Sequence, residues 1–311
     1  MPARAAPLLL VLSSWILAVP QPAQERVEPF RGDPKALRLY RDMNAALRSA
    51  GTLHLVSDYA WYGAGAEEIG RCRYEMWLAK PNRFRIETRR SDGKPGGVLV
   101  GDGRDAWIHW PSGRPFFSTE DPKEYARTRT DQQYYRVAAP PRRHSIGHLV
   151  GLLGAGMSMT IVDPSTFHGY TDSLQPHLDG VRMLGRGCTD DGEECDIVLV
   201  SFMKGQRTWQ LWLARTDHLP RRMVGTVHVR CDIVTTERWS AIELDSAIDP
   251  ARFAWQPPEH FTRWFKPDHT ARLLRPGTPA PDFELRLASG GTRRLSALRG
   301  KVVWLNFWRV G

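Results

Sequence analysis

Apolar residues in this chain follow a helical spacing first and a strand spacing afterwards. Leu37, Tyr40, Met43 and Leu47 recur at intervals of three and four and make one apolar face. Asp33 and Pro34 stand where a helix cap and a first-turn residue belong, and Gly51 stands where the helix should stop. Beyond Gly51 the interval falls to two, and Leu53, Leu55, Tyr59 and Trp61 open a strand. "RCRYEMWLAKPNRFRIETRR" then reads as two alternating runs joined at Pro81-Asn82, a hairpin, and "GGVLVGDGRDAWIHW" repeats the pattern with a turn at Asp102-Gly103.

The middle of the chain has a different texture. Asp121-Pro122 predicts a helix through "KEYARTRTDQQYYRVA", with a weak apolar face, and "HSIGHLVGLLGAG" predicts a short apolar helix punctuated by glycines. From Leu178 the alternation returns in "GVRMLGRGC", "CDIVLVSFM", "RTWQLWLAR", "RRMVGTVHVR" and "IVTTERWSAIEL". Short strands in succession with turn residues between them predict one large antiparallel sheet with few helices to cover it. Trp61, Trp77, Trp107, Trp110, Trp209, Trp212 and Trp239 all fall on these strands. They either fill a core or line an apolar cavity cupped by a curved sheet; periodicity alone favours the core.

Composition changes this picture in two places. "MPARAAPLLLVLSSWILAVPQPAQE" has a short basic start, an apolar stretch from Ala5 to Val19 and small or polar residues after it, so residues 1–24 read as a secretory signal peptide. An uncleaved anchor is the alternative. Export places the protein in the periplasm or another extracytoplasmic space, and it alters the meaning of the formal charge of +9 over 311 residues. No nucleic acid is expected there; an anionic membrane surface is the accessible partner. The basic residues are scattered rather than clustered, as a solvated arginine-rich surface would be.

An oxidising compartment also permits disulfides among Cys72, Cys188, Cys195 and Cys231. "GCTDDGEEC" sets Cys188 and Cys195 on either side of a turn, and a bridge between them is expected. Cys72 and Cys231 could pair only if the fold juxtaposes them. None of the four makes a CxxC or a zinc spacing, and no cofactor motif is present.

"MWLAKPNRFRIET" followed by "LVGDGRDAWIHWP" resembles the outer-membrane lipoprotein carrier superfamily, the LolA/LppX-like proteins. "DHLPRRMVGTVHVR" and "DPARFAWQPPE" continue the resemblance, which spans roughly residues 33 to 264. It implies a mainly β fold with some α: a curved, unclosed antiparallel barrel with a helical lid, at 30–265, over a cavity for lipid or an acylated protein. Carried over by position, Tyr74, Met76, Leu78 and Lys80 would face that cavity, joined by Leu55, Phe84 and Ile86, under a lid of Ile146, Leu149, Leu152 and Leu153. Lys80 stands where the superfamily carries an arginine bound to lid carbonyls. A lysine is a point charge rather than a rigid guanidinium fork, so the departure counts against lipoprotein-specific gating and leaves generic lipid binding standing. His144 and His148 on the lid have a spacing that metals use, but without a third ligand they read as helix surface.

After a linker at 266–281, "RPGTPAPDFELRLASGGTRRLSALRGKVVWLNFW" is similar to the opening of TlpA-like and AhpC/TSA-type thioredoxin-fold proteins. The features are Gly277, Ala280-Pro281-Asp282-Phe283, Gly300-Lys301 and Asn306-Phe307-Trp308. The resemblance implies an incomplete thioredoxin-like α/β fragment at 282–311, with Val302 to Trp308 as its first central strand. In that family a redox CxxC follows shortly after, which this chain does not reach. The leading reading is therefore an exported lipid- or lipoprotein-binding carrier or sensor; the alternative is a thiol-disulfide oxidoreductase or peroxiredoxin in a longer gene product, with the carrier-like domain as its adaptor. No nucleophile elbow, Walker loop or HExxH accompanies either.

Overall fold

A computed structural model describes residues 30–63, 65–117, 120–138, 147–155, 160–170, 174–228, 231–266, 274–287 and 289–305, the side chains of 147 and 148 excepted. The first helix, α1 (Pro34–Ser49), starts as its sequence predicts. The Asp33 side chain accepts from the Lys35 amide at 2.7 Å, and Pro34 needs no partner in the first turn. Its buried face is Ala36, Tyr40, Met43 and Leu47; Leu37 lies at the margin of that face. Both ends are tied to distant strands. The Asp33 amide donates to the Val181 carbonyl at 2.7 Å, and the Gly51 amide donates to Asp245 Oδ1 at 2.6 Å.

Strands β1 (Thr52–Tyr62), β2 (Glu68–Ala79), β3 (Arg83–Arg90), β4 (Pro95–Asp102) and β5 (Ala106–His109) follow as a meander. The hairpin turns fall where the turn residues predict. Asn82 takes a left-handed φ of 54° beside Pro81, and Asp102 Oδ1 accepts from the amides of Arg104 and Asp105, each at 2.8 Å. The next segment departs from expectation. Helix α2 covers only Pro122–Arg127, and the residues predicted to extend it form β6 (Gln133–Val137), which pairs with β5. A helix with no buried residue has little to hold it, whereas Tyr134 and Tyr135 are β-prone and find a free strand edge.

Short helices α3 (Gly147–Val150), continued by a 3-10 turn at Gly151–Leu153, and α4 (Pro164–Phe167) precede the second meander. That meander is β7 (Leu178–Cys188), β8 (Glu194–Phe202), β9 (Arg207–Ala214), β10 (Pro220–Val227) and β11 (Ile233–Leu244), and the short β12 (Thr262–Arg263) pairs in parallel with β6. One pairing joins the two meanders: β1 runs antiparallel to β11, with Leu53 opposite Leu244 and Tyr59 opposite Glu237. The result is one curved twelve-stranded sheet in the order β12-β6-β5-β4-β3-β2-β1-β11-β10-β9-β8-β7. Its edges, β12 and β7, do not meet.

The inner face of the sheet, α1 and the α3–α4 region share a single buried cluster. Contact there is close enough to require glycine. A Cβ on Gly97 of β4 would sit 2.5 Å from the Leu153 carbonyl oxygen, so the 3-10 turn lies directly on the β4 backbone. Trp110 reinforces the contact by donating from Nε1 to the Leu152 carbonyl at 2.8 Å. The tryptophans divide between the faces. Trp110, Trp209 and Trp239 belong to the core, while Trp77 and Trp212 lie under Arg252 and Arg222 at 4.0 and 4.7 Å.

The C-terminal segment is a small hairpin, β13 (Glu284–Arg286) with β14 (Thr292–Arg294), and a 3-10 turn at Leu295–Leu298. The strand expected from Val302 is not formed at 302–305, where Val302 is fully exposed and Trp304 is 91% exposed. An apolar run becomes a strand only where a partner ladder takes its amides and carbonyls. Asn306, Phe307 and Trp308 lie outside the described residues, as does the proposed signal segment.

Candidate functional site

Alternation along β1, β2 and β3 carries one set of side chains to the inner face. Leu55, Tyr74, Met76, Leu78 and Ile86 are 0% exposed and Phe84 is 1% exposed. Leu149, Leu152 and Leu153 of the α3 region close over the same cluster. The structure thus brings together every described apolar residue of the set predicted from sequence. Ile146 and His144 lie outside the described residues, as does the His148 side chain. Among the described residues no group of three or more His, Cys, Asp and Glu is arranged to hold a metal ion.

Lys80 sits at the rim of this face rather than within it. Its ammonium donates to the Arg48 carbonyl in the last turn of α1 and lies 4.9 Å from the centre of the Phe167 ring in α4. A single flexible cation therefore touches two of the covering helices. The hydrogen bond also satisfies a carbonyl that the helix end leaves open. Nearby, burial and the Lys80 charge push the His168 imidazole down to about 4.

The sequence reading missed the polar centre of the inner face. Glu237 is 1% exposed on β11, and the Tyr74 hydroxyl donates to its Oε2 at 3.0 Å. Burial pushes the Glu237 carboxyl up to about 8, so it is mostly protonated at neutral pH. The same burial, with Glu237 beside it, holds the Tyr74 phenol well above its ordinary value. Burial, then Glu237 and Asp58, push the Cys72 thiol up to about 12, leaving it a packing group rather than a nucleophile. A signal for Glu237 existed in the sequence: in "TTERWS" it shares strand parity with Trp239, so both must face the same side.

The expected Cys188–Cys195 bridge is not formed; all four cysteines are free thiols. The hairpin is present, but its register opposes Cys188 to Glu194 and Cys195 to Gly187. A one-residue offset sends the two side chains to opposite faces, leaving Cys188 exposed and Cys195 buried. Cys72 is likewise buried and Cys231 exposed. Cys188 borders a cleft of about 380 Å³ with Trp212, Arg222 and Arg238. The cleft's charges are largely paired within the protein: Arg238 with Asp190, and Arg221 with Glu193 and Asp217 at 2.7 and 2.8 Å.

These features define a mainly β protein whose open, curved sheet holds an apolar face under short helices. No protein-family model matches the chain. No curated protein matches it. Among solved structures, an uncharacterized conserved protein from Thermus thermophilus aligns over 74% of this chain and 99% of its own, at 9% identity and a TM-score of 0.39. The Pseudomonas aeruginosa MucA/MucB complex aligns over 83% of this chain and 74% of its own, at 13% identity and a TM-score of 0.36. A LolA superfamily protein from Nitrosomonas europaea aligns over 70% and 96%, at 8% identity and a TM-score of 0.32. Likeness at this level is loose; strand order and register define the fold without it.

Proposed function

We propose that this protein is an extracytoplasmic carrier or sensor that binds lipid, or the acyl chain of a modified protein, on the inner face of its sheet. The observation that carries the reading is how that face is covered. Its continuous apolar lining from β1 to β3 lies under α1, the α3 turn and α4, three separate pieces of which the last two are single turns, rather than under a second sheet. Among the described residues polar contacts hold those pieces at separate points: Asp33 to Val181 and Gly51 to Asp245 at the ends of α1, Lys80 to Arg48, Trp110 to Leu152, and Gln175 Nε2 to the Tyr40 hydroxyl at 2.6 Å. The described lining residues of β1 to β3 are 0–1% exposed, so ligand reaches them by displacing the cover. Burying an acyl chain is worth about 0.8 kcal/mol per methylene, enough for a long chain to offset the lost packing.

The resemblance of the 33–264 segments to lipoprotein carriers agrees with this reading, and export through residues 1–24 belongs to the same proposal. The thioredoxin-like reading of 282–311 is a separate proposal carried by its sequence motifs alone. The test is a titration of delipidated protein with a fluorescent fatty acid and a fluorescent diacyl lipid. Saturable binding is expected, and Met76→Asp should weaken it, because a carboxyl placed in an apolar interior either loses its hydration or stays protonated. Absence of saturable binding by parent protein that circular dichroism shows to be folded would sink the reading.

A further inference from the structure

One cross-strand row on the inner face runs Cys72, Tyr59, Glu237, Met223, Leu211, Val198 from β2 to β8. Glu237 is its one carboxylic acid, near the middle, and nothing about the fold requires an acid there. A leucine at this position would continue the Met223, Leu211 and Val198 packing without burying a polar group. The acid is also only half satisfied. Oε2 accepts from Tyr74, while Oε1 has no hydrogen-bond partner among the described residues. Two residues along the same strand, and on the same face, the Trp239 indole Nε1 makes no hydrogen bond of good geometry either, though it lies close enough to the Tyr74 hydroxyl to favour its ionised form. Among the described residues no cation contributes to the carboxyl's state; burial and the Tyr74 hydroxyl set it.

With Oε2 taken by Tyr74, the acid proton resides on Oε1. Glu237 and Trp239 then offer two unmatched donors on one face, in apolar surroundings. The group that answers two donors is an uncharged oxygen with two lone pairs, and a carbonyl meets that description. We propose that Glu237, oriented by Tyr74, and Trp239 form the polar anchor of the inner-face site and select an amphiphile by the uncharged carbonyl oxygen of an acyl ester or acyl amide. The proposal rests on the inner-face binding reading and adds the chemistry of the head to it. An anchor of this kind fixes how deep the acyl chain lies, which an apolar lining alone does not. An alkyl ammonium offers no acceptor and is disfavoured.

The experiment is competition for a bound fluorescent fatty acid by four chain-matched compounds: a long-chain methyl ester, primary amide, alkane and alkylamine. Parent protein should prefer ester and amide over alkane by about tenfold, the worth of one good net hydrogen bond. A stronger ester points to a glycerolipid-type source and a stronger amide to an N-acyl source; both satisfy the proposal. Glu237→Leu should cut the preference to what the Trp239 indole alone supports and leave alkane affinity intact, while Glu237→Gln, which keeps a donor, should retain most of it. If Glu237→Leu does not fold because the Tyr74 hydroxyl has lost its acceptor, the Glu237→Leu/Tyr74→Phe double variant removes both partners and carries the same expectation. An unchanged ester-to-alkane ratio in Glu237→Leu or the double variant would overturn the anchor while leaving chain binding in place. Tighter binding of the alkylamine than of the ester would overturn it too, since the acid would then be acting as an anion. Failure of the parent protein to bind the fluorescent fatty acid would remove the inner-face reading and the anchor together.

Discussion

The two faces of β2 are made by alternate residues of one strand, yet they live under different electrostatic rules. On the inner face Cys72, Tyr74, Met76 and Leu78 are each 0–1% exposed, and the acid that Tyr74 bonds there, Glu237, is kept largely neutral by burial. On the outer face Arg73 reaches Asp58 at 3.5 Å, and Glu75 meets His54 at 2.9 Å. His54 in turn stacks on Trp77, whose ring Arg252 covers. Water solvates the outer charges, so their pairing adds little to stability. Inside, the same kind of group must find a partner or give up its charge. A carboxylate outside is therefore ordinary surface, whereas a carboxyl inside points to use.

The sharpest way to test that contrast is truncation on each side of the strand. Met76→Ala should cost about 2–5 kcal/mol, by lost burial plus the cavity left behind, whereas Glu75→Ala should stay within about 0.5 kcal/mol. Urea unfolding of the two variants, read by tryptophan fluorescence, measures the difference; comparable losses would dissolve the distinction between the faces.

The pH dependence of stability probes the inner carboxyl by itself. Glu237 rises from an ordinary 4.5 to about 8 in the folded protein. Across that window the unfolded chain has released its proton and the folded chain has not, so folding weakens as pH rises and levels off above about 8. Two half-buried histidines act in the opposite sense lower down. His109 and His168 fall from 6.5 to about 4, so they lose stability as pH drops through that range. Between 6.5 and 8 the carboxyl should dominate, because the upward-shifted thiol of Cys72 and phenol of Tyr74 titrate above it. Stability should fall there by roughly 1.4 kcal/mol per pH unit. Glu237→Gln should flatten the slope; a slope that survives in the variant would assign it to another group.

A smaller effect is expected at the rim, where the two environments meet. Lys80→Met keeps the aliphatic stem but removes the bond to the Arg48 carbonyl and the charge over Phe167. A loss of about 1 kcal/mol is expected, with faster amide exchange in the last turn of α1. Unchanged exchange there would mean that Lys80 does not hold the cover.

Thiol labelling gives a contrast with no stability cost. Cys188 is exposed, whereas Cys195 is buried and its thiol is pushed up to about 11 by burial and Glu193. An alkylating reagent should modify Cys188 quickly and Cys195 only on unfolding. Finding the two linked in non-reducing peptide maps would mean that the β7–β8 register is one residue away from that described.

By itself the sequence determined what neighbours along the chain can decide. Asp33 and Pro34 start α1, Pro81-Asn82 and Asp102-Gly103 turn their hairpins, and period-two alternation puts Met76 and Leu78 on one side and Glu75 and Trp77 on the other. Each of these depends on a few adjacent residues, whose φ/ψ limits and capping bonds do not wait for the rest of the fold. The tertiary structure decided whatever depends on which strands meet and in what register. It turned the residues after α2 into β6 because β5 offered an edge, and it left 302–305 without a strand because no ladder among the described residues receives them. It parted Cys188 from Cys195 by a single step of register that no turn sequence announces. It also joined β1 to β11, bringing Tyr74 to a Glu237 that lies 163 residues away in the chain. Parity in "TTERWS" put that acid on the apolar side, but only the pairing of distant strands gave it one partner and left its second oxygen unmet.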